Sequence, residues 1–300
     1  MNVDLYAALR ARVKGEVLRD EPMARHTSLK VGGPADFFVV PADLDDLAAL
    51  MALLVETGTP HLVVGGGYNL LVRDGGFRGV VISLAHFVAV ERLDARRVRA
   101  GAGVKNRDFV QFILGEGLAG LEFLCCIPGT VGGGLAMNAG AHGGEILDRL
   151  EELAVIRNGE ARTVRQDELD YGYRFLRLAP GEIIVAGTFS LEQGSPVEIG
   201  ARIDAFRAHR VESQKIGYPN AGSFFKNPEG TPAWRLIDSA GLRGERIGGA
   251  QVSEVHANFL INRGGATAAD FLALVKRIKD VVRLKTGMAL EEEVRIVGER

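Results

Sequence analysis

Cysteine is almost absent: the chain has 2 in 300 residues, Cys125 and Cys126, and they are neighbours. That placement fits neither a disulfide framework nor a Cys-x-x-Cys metal or redox pair, which points to a reducing compartment. No apolar run approaches the roughly 18 residues that would cross a bilayer. The segment Met1 to Arg12 alternates apolar and charged residues without the apolar stretch of a signal peptide. The expected location is cytoplasmic, with no membrane partner. An excess of one charge is lacking too. With 36 basic and 38 acidic residues the net charge is −2, and no like-charge block occurs, so neither a nucleic-acid footprint nor a polybasic patch is expected. The 6 histidines are scattered without His-Glu-x-x-His or similar spacing, and no catalytic metal is expected. There is no internal repeat.

What is present is an ordinary globular composition, 47% hydrophobic and 25% charged, which sets aside disorder, collagen and coiled coil. The length suits about two domains at roughly 100–200 residues each. Residues 1–84 read as a small α/β unit, with strands at Asp36–Val40, His61–Val64 and Val80–Leu84 around a helix from Asp43 to Thr57. In that helix Asp43 is the N-cap, Leu44, Leu47, Leu50, Met51 and Leu54 recur at helical spacing, and Gly58 is the C-terminal stop. Residues 85–194 read as a second unit of short strands, near Leu153–Arg157 and Ile183–Leu191, with one helix at Asn106–Glu116 and an irregular Gly-rich stretch. Residues 195–300 open with Pro196 at the first turn of a helix to Ser213. An irregular Lys215–Pro228 loop and a helix from Pro232 to near Gly241 follow. The last helix runs to Thr286, with a Thr267/Asp270 capping box and Gly287 beyond its end.

Glycine is the outlier, 39 of 300 against about 7% on average, and it is clustered. His61–Val72 is a strand, the turn Gly65-Gly66-Gly67, then Tyr68-Asn69 and an apolar run. A Rossmann loop needs a third Gly where Leu70 stands, and a Walker loop needs a Lys that is not there. What remains is either an anion-binding nest of backbone N–H groups or a plain turn. The second cluster, Gly129–Gly144, has 7 Gly in 16 residues, each costing roughly 0.5–1 kcal/mol of chain entropy relative to Ala in regular structure. It also carries Val131, Leu135 and Met137, which suits a loop packed around a cofactor better than a linker. Gly101 and Gly103 add a third approach point. Several such loops suit a long ligand with a pyrophosphate.

Together these residues resemble the UDP-N-acetylenolpyruvoylglucosamine reductases, the flavoenzymes of an early step of peptidoglycan precursor synthesis. The resemblance runs over nearly the whole chain. Its landmarks are His26–Ala35, the Gly65–Val72 loop, Gly120-Leu-Glu-Phe123, Ile127–Gly143, Gly172-Tyr-Arg174, Asn220–Pro228, Ile247–Ser253 and Leu290–Arg295. It implies an α+β fold, in which a two-part FAD-binding module of the vanillyl-alcohol-oxidase type precedes an α+β substrate-binding domain whose C-terminal tail returns to the active site. The implied cofactor is noncovalent FAD, with NADPH as reductant and UDP-N-acetylglucosamine enolpyruvate as substrate. Three departures stand out: Tyr68 where the family usually has Ser, Cys125-Cys126 where small residues are usual, and Phe175-Leu176 where a Ser is common.

The resemblance assigns Ser223 as proton donor, Arg174 as the cation polarising the substrate carboxylate, and Glu293 as second acid. It implies FAD contacts at Gly65, Gly66, Gly67, Asn69, Gly101, Gly129, Thr130, Gly132, Gly133, Asn138 and Gly140. Tyr173, Lys215, Lys226, Asn227 and Asn258 are placed near the substrate, with Lys226 or Lys215 supporting the Ser223 hydroxyl. By residue type alone each has a plainer reading. Ser223 could be a loop hydroxyl bonding local backbone, Arg174 a surface arginine lying over aromatic rings, and Lys215 a solvated helix end. Glu291, Glu292 and Glu293 would ordinarily be a solvated run; on a strand, period two sets Glu291 and Glu293 on one face and Glu292 on the other. The rival functions are another flavin oxidase or dehydrogenase on the same module, and an FAD-binding scaffold without chemistry.

Overall fold

The computed structural model describes residues 4–300. Its helices are α1 (Leu5–Arg12), α2 (Leu44–Thr57), α3 (Asn106–Gly115), α4 (Val131–Ala136), α5 (Pro196–Gln214), α6 (Ala233–Ser239) and α7 (Ala268–Thr286). Helices and mostly antiparallel sheets share the chain, which makes the fold α+β. The chain divides into two compact units rather than the three consecutive segments expected. The first takes in the chain as far as Arg19, with Phe37–Gly66 and Gly79–His209; the second takes Asp20–Asp36, Gly67–Arg78 and Arg210–Arg300. Boundaries fall between Arg78 and Gly79 and between His209 and Arg210, against the expected 84 and 194.

Two larger sheets lie in the N-terminal two thirds of the chain. One is ordered Glu16–Pro22, Pro34–Val40, Phe77–Ser83, His61–Val64, with His61–Val64 parallel to its neighbour. The other is antiparallel throughout, ordered Glu160–Arg165, Leu150–Arg157, Ile183–Ser190, Arg97–Gly101, Val90–Arg92. Its central strand is buried from Ile183 to Phe189, hence the unbroken apolar run in the sequence. The Phe109 ring of α3 lies 5.2 Å from that of Phe189. Gly187 leaves room on the sheet for Leu135: a Cβ there would sit 3.0 Å from Leu135 Cδ1. That gap seats α4, the helix that carries the second glycine cluster. This segment was expected to be irregular; packing of Val131 and Leu135, both fully buried, outweighs the poor helix propensity of Val-Gly-Gly-Gly.

In the second unit the strands Asn220–Ser223, Phe259–Asn262, Ala250–Val252 and Arg246–Ile247 form an antiparallel sheet in that order. A strand thus lies inside the Lys215–Pro228 segment read as irregular. Against this sheet α7 buries Phe271, Leu274, Val275, Ile278 and Val282. Its start is capped by the expected Thr267/Asp270 box and also by Asp74, whose carboxylate oxygens accept from the N–H groups of Ala268 and Ala269, both at 2.8 Å. The strand Leu70–Val72 runs parallel to Arg295–Val297. These partners are about two hundred residues apart in sequence, which is why residues 67–78 belong with the C-terminal portion.

One buried carboxylate organises the beginning of the first unit. Asp46, 1% exposed on α2, accepts from the backbone N–H groups of Lys14, Gly15 and Ala42 at 2.8, 2.9 and 2.8 Å. Replacing it by Ala strands three donors, and Asp46→Ala is expected to lower unfolding free energy by about 2–4 kcal/mol. A denaturant titration checks this; a loss below about 1 kcal/mol would show that water replaces the carboxylate.

Candidate active site

The first glycine turn follows the strand His61–Val64 directly, and Gly65 and Gly66 are exposed. A Cβ on Gly65 would lie 2.6 Å from Thr130 Oγ1, so the two glycine clusters meet here. Thr130 caps α4, its hydroxyl oxygen accepting from the Gly133 N–H at 3.3 Å. The N–H groups of Val131 and Gly132 donate to the carbonyls of Val104 and Ala102 at 2.8 and 2.9 Å, tying the cluster to the Gly101–Val104 turn. Gly132 and Gly133 differ in kind. A Cβ on Gly132 would strike Ala102 Cβ at 2.6 Å, whereas one on exposed Gly133 would meet only Thr130 Oγ1 at 3.5 Å. Gly65, Gly66 and Gly133 thus line a cradle of bare backbone beside the start of a helix, which suits a pyrophosphate.

The other expected cofactor positions fall into place differently. Gly101 is buried in its strand, where a Cβ would lie 2.2 Å from the Phe87 carbonyl oxygen, so contact between protein segments accounts for it. Gly129 accepts from the Asn106 N–H at 3.1 Å. Gly140 pairs with Glu145 in a short hairpin. Asn138 is 0% exposed, with its side-chain amide bonded to Glu145, Gly172 and Leu147.

Arg174 also belongs to the first unit. It is the second residue of the two-residue tip Tyr173-Arg174 joining Asp170–Gly172 to Phe175–Arg177, and its φ is +63°. A turn with positive φ at that position normally takes Gly or Asn, and a long side chain held there marks strain that tends to serve a function. The guanidinium donates to the Gly140 carbonyl at 2.8 Å and to the Asn138 carbonyl at 3.4 Å. It also lies 4.9 Å from the centre of the Tyr173 ring. Tyr173 itself is 45% exposed.

The second unit holds Gly67, Asn69, Ser223 and Glu293. Gly67 has φ +66°, and a Cβ would fall 2.0 Å from the His26 carbonyl oxygen, so only glycine fits. Tyr68 is exposed. Ser223 ends its strand opposite Phe259 and is followed by fully buried Phe224 and Phe225. Asn258, 2% exposed, clamps that pair. Its Oδ1 accepts from the Phe225 N–H at 2.9 Å, its Nδ2 donates to the Phe225 carbonyl at 2.8 Å, and its own carbonyl accepts from the Phe224 N–H at 2.7 Å. The tail lies alongside: the Glu293 N–H donates to the Phe224 carbonyl at 2.9 Å, and Lys226 N–H to the Glu291 carbonyl at 2.9 Å. Asn69 Nδ2 donates to the Glu293 carbonyl at 3.1 Å. Ser223 and Glu293 are thereby fixed on neighbouring, cross-bonded segments.

The glutamate run is sorted by its lysines. The Glu291 carboxylate meets Lys226 Nζ at 2.5 Å, and Glu292 takes Lys279 of α7 at 2.9 Å through both oxygens. Glu292 makes a single bridge with Phe225 rather than starting a strand, and Glu293 is half-buried. Among the residues expected near the substrate, Lys226 is therefore paired with Glu291, Asn258 is bonded to backbone at both ends of its amide, and Asn227 Oδ1 accepts from the Ala233 N–H at 3.0 Å at the start of α6. Lys215 is exposed just beyond α5. The amide clamps Asn69, Asn138 and Asn258 were not recognisable as such in the sequence, because nothing local shows which backbone an amide will meet.

Comparison with known proteins places this geometry. Residues 35–165 match the family described as FAD binding domain, and residues 214–297 the family described as UDP-N-acetylenolpyruvoylglucosamine reductase, C-terminal domain. The chain is 72% identical over 299 residues to the UDP-N-acetylenolpyruvoylglucosamine reductase of Geobacter metallireducens, covering 100% of both chains. It is 67% identical to that of Geobacter sulfurreducens, again over 100% of both. The crystal structure of the reductase from Thermus caldophilus superposes with a TM-score of 0.80 at 36% identity, covering 94% of this chain and 98% of that one. An alkyldihydroxyacetonephosphate synthase, 18% identical with a TM-score of 0.50 over 64% of this chain and 41% of its own, shares the fold alone.

The two neighbouring glycines give a paired test. Gly133→Val should leave folding intact and yield protein with less than about a tenth of the normal FAD, because its side chain fills only the cradle. Gly132→Val overpacks Ala102 and should cost about 1–3 kcal/mol of stability. Flavin absorbance per chain and thermal melts check both; full flavin occupancy in Gly133→Val would reject the cradle.

Proposed function

The chain belongs to the UDP-N-acetylenolpyruvoylglucosamine reductase family, and on that footing we propose that it reduces UDP-N-acetylglucosamine enolpyruvate to UDP-N-acetylmuramate with electrons from NADPH, in the cytoplasmic synthesis of peptidoglycan precursors. FAD, when bound noncovalently along the glycine cradle, supplies hydride to the terminal vinyl carbon of the substrate. The rest of the chemistry falls to the protein. Hydride addition leaves negative charge spread from the adjacent carbon onto the substrate carboxylate, and the always-charged fork of Arg174 is the group suited to hold that carboxylate. Ser223 Oγ–H then gives its proton to the adjacent carbon, completing the lactyl ether, and is reprotonated from solvent. Glu293 organises charge beside it.

Support for these roles comes chiefly from the clamp that sets Ser223 and Glu293 on paired segments, built by Asn258 and Asn69. A bare hydroxyl is a weak acid, and Lys226, whose ammonium pairs with Glu291 and keeps further N–H donors, or Lys215 is the cation we assign to support the departing alkoxide. The cytoplasmic setting accords with two cysteines outside any disulfide, whose Sγ atoms lie within hydrogen-bond distance of each other at 3.4 Å. Among the described residues no helix is long and apolar enough to cross a membrane.

The two half-reactions separate the roles. In Ser223→Ala, flavin bleaching by NADPH should keep close to its normal rate, while reoxidation by the enolpyruvyl substrate should slow by about 10²–10⁴-fold, as for a lost general acid. Stopped-flow absorbance reads both, and equal slowing of the two would make Ser223 a structural residue of the site. Glu293→Gln should lower turnover by about 10²-fold with little change in substrate affinity. Near-normal turnover in that variant would make Glu293 a bystander.

A further inference from the structure

The tip that carries Arg174 closes a short hairpin, whose strands are bridged by the Arg177–Asp170 ion pair at 2.7 Å. Its strands are three residues each, and Leu176 is their one buried residue; Tyr173 and Phe175 are 45% and 40% exposed. A short hairpin of this kind is marginal by itself, yet it keeps an arginine at φ +63°. Asn138 lies wholly buried against it, itself at φ +43°. One side-chain nitrogen donates to the carbonyl of Gly172, the residue directly before the tip, at 3.0 Å, and to the Glu145 carboxylate at 2.6 Å. Its Oδ1 accepts from the Leu147 N–H at 3.3 Å. Asn138 and Gly140 then present the carbonyls that receive the two ends of the Arg174 guanidinium. The same residue therefore fixes the backbone before the arginine and, through its own carbonyl, the arginine's fork.

We infer that Asn138 is a positioning residue for the substrate half-reaction: it sets the orientation of the Arg174 guanidinium, with Glu145 orienting the Asn138 amide in turn. The inference rests on the reading of Arg174 as the group that holds the substrate carboxylate. A fork that recognises a planar carboxylate is sensitive to rotation in a way an ammonium is not. Loss of the Gly172 clamp frees the tip, and the cost appears where orientation counts. Asn138 stands in the same glycine-rich stretch as Thr130 and Gly133, so this one loop serves both the cofactor cradle and the substrate-facing arginine.

The test uses the FAD-loaded enzyme in anaerobic stopped flow, with Asn138→Ala, Glu145→Gln, Arg174→Ala and the two double variants containing Arg174→Ala. In Asn138→Ala, FAD per chain and the rate of flavin reduction by NADPH should stay within about twofold of normal, while reoxidation by UDP-N-acetylglucosamine enolpyruvate should slow by about 10–100-fold, the effect of a misplaced catalytic group. With Arg174 already replaced by Ala, removing Asn138 should slow reoxidation by less than about twofold, because groups acting through one another do not add. Glu145→Gln, which keeps volume and weakens the charge-assisted bond, should slow reoxidation about threefold with Arg174 present and not without it; it carries the test if Asn138→Ala does not fold. Multiplying effects in the double variants, or equal slowing of both half-reactions with loss of FAD, would overturn the inference and leave Asn138 a plain support of the loop. Normal reoxidation in Arg174→Ala would instead remove the reading of Arg174 on which it stands.

Discussion

The N–H of Val131 reaches the Val104 carbonyl at 2.8 Å and that of Gly132 reaches the Ala102 carbonyl at 2.9 Å, and on this backbone-to-backbone seam the rest of the first unit depends. A stretch so rich in glycine loses more entropy on ordering than ordinary chain. The seam holds it, together with Leu135 lodged in the space left by Gly187 and Thr130 capping α4. Once fixed, the stretch offers bare backbone on one side, at Gly133 and beside Gly65, and carbonyl groups on the other, at Asn138 and Gly140. The first side suits an anion; the second holds an arginine. The glycines are thus of two kinds, those such as Gly132 where a Cβ would strike a neighbouring segment and those such as Gly133 where it would meet little.

In the second unit the same task is done by amides rather than by glycine. Asn258 closes on Phe225 from both ends and Asn69 holds the carbonyl of Glu293, so a strand and a tail distant in sequence are stitched through main-chain bonds. The buried rings of Phe224 and Phe225 supply the apolar anchor. Buried Asn258 is bonded at both ends of its amide, which is the condition for a polar residue to rigidify a core instead of weakening it. With the backbone settled in this way, two members of the glutamate run pair with lysines, Glu291 with Lys226 and Glu292 with Lys279.

Much of this was legible where the signal is local. The caps of α2 and α7 stand as read from Asp43 and Gly58 and from Thr267, Asp270 and Gly287. The resemblance, its α+β fold and its FAD-binding domain are borne out by the family matches. What escaped the sequence is non-local. Residues 67–78 join the C-terminal unit because Leu70–Val72 pairs with Arg295–Val297 and Asp74 caps α7, contacts that no window along the chain reveals. The helix α4 was hidden by its glycines, since propensity speaks against it and only the sheet beneath speaks for it. Lys226, Asn227 and Asn258 have the residue types expected of a nucleotide-sugar site, but type alone does not tell a ligand contact from the bonds these side chains make within the protein, to Glu291 for Lys226 and to backbone for the two asparagines.

The most direct test of the account is a single turnover. The FAD-loaded enzyme is reduced anaerobically with one equivalent of NADPH, mixed with UDP-N-acetylglucosamine enolpyruvate, and followed by flavin absorbance while the nucleotide sugar is analysed by mass spectrometry. The account predicts that flavin colour returns as substrate is consumed, with one molecule of product, heavier than substrate by two hydrogens, for each flavin reoxidised. Flavin that is reduced by NADPH but stays bleached in the presence of this substrate would contradict it.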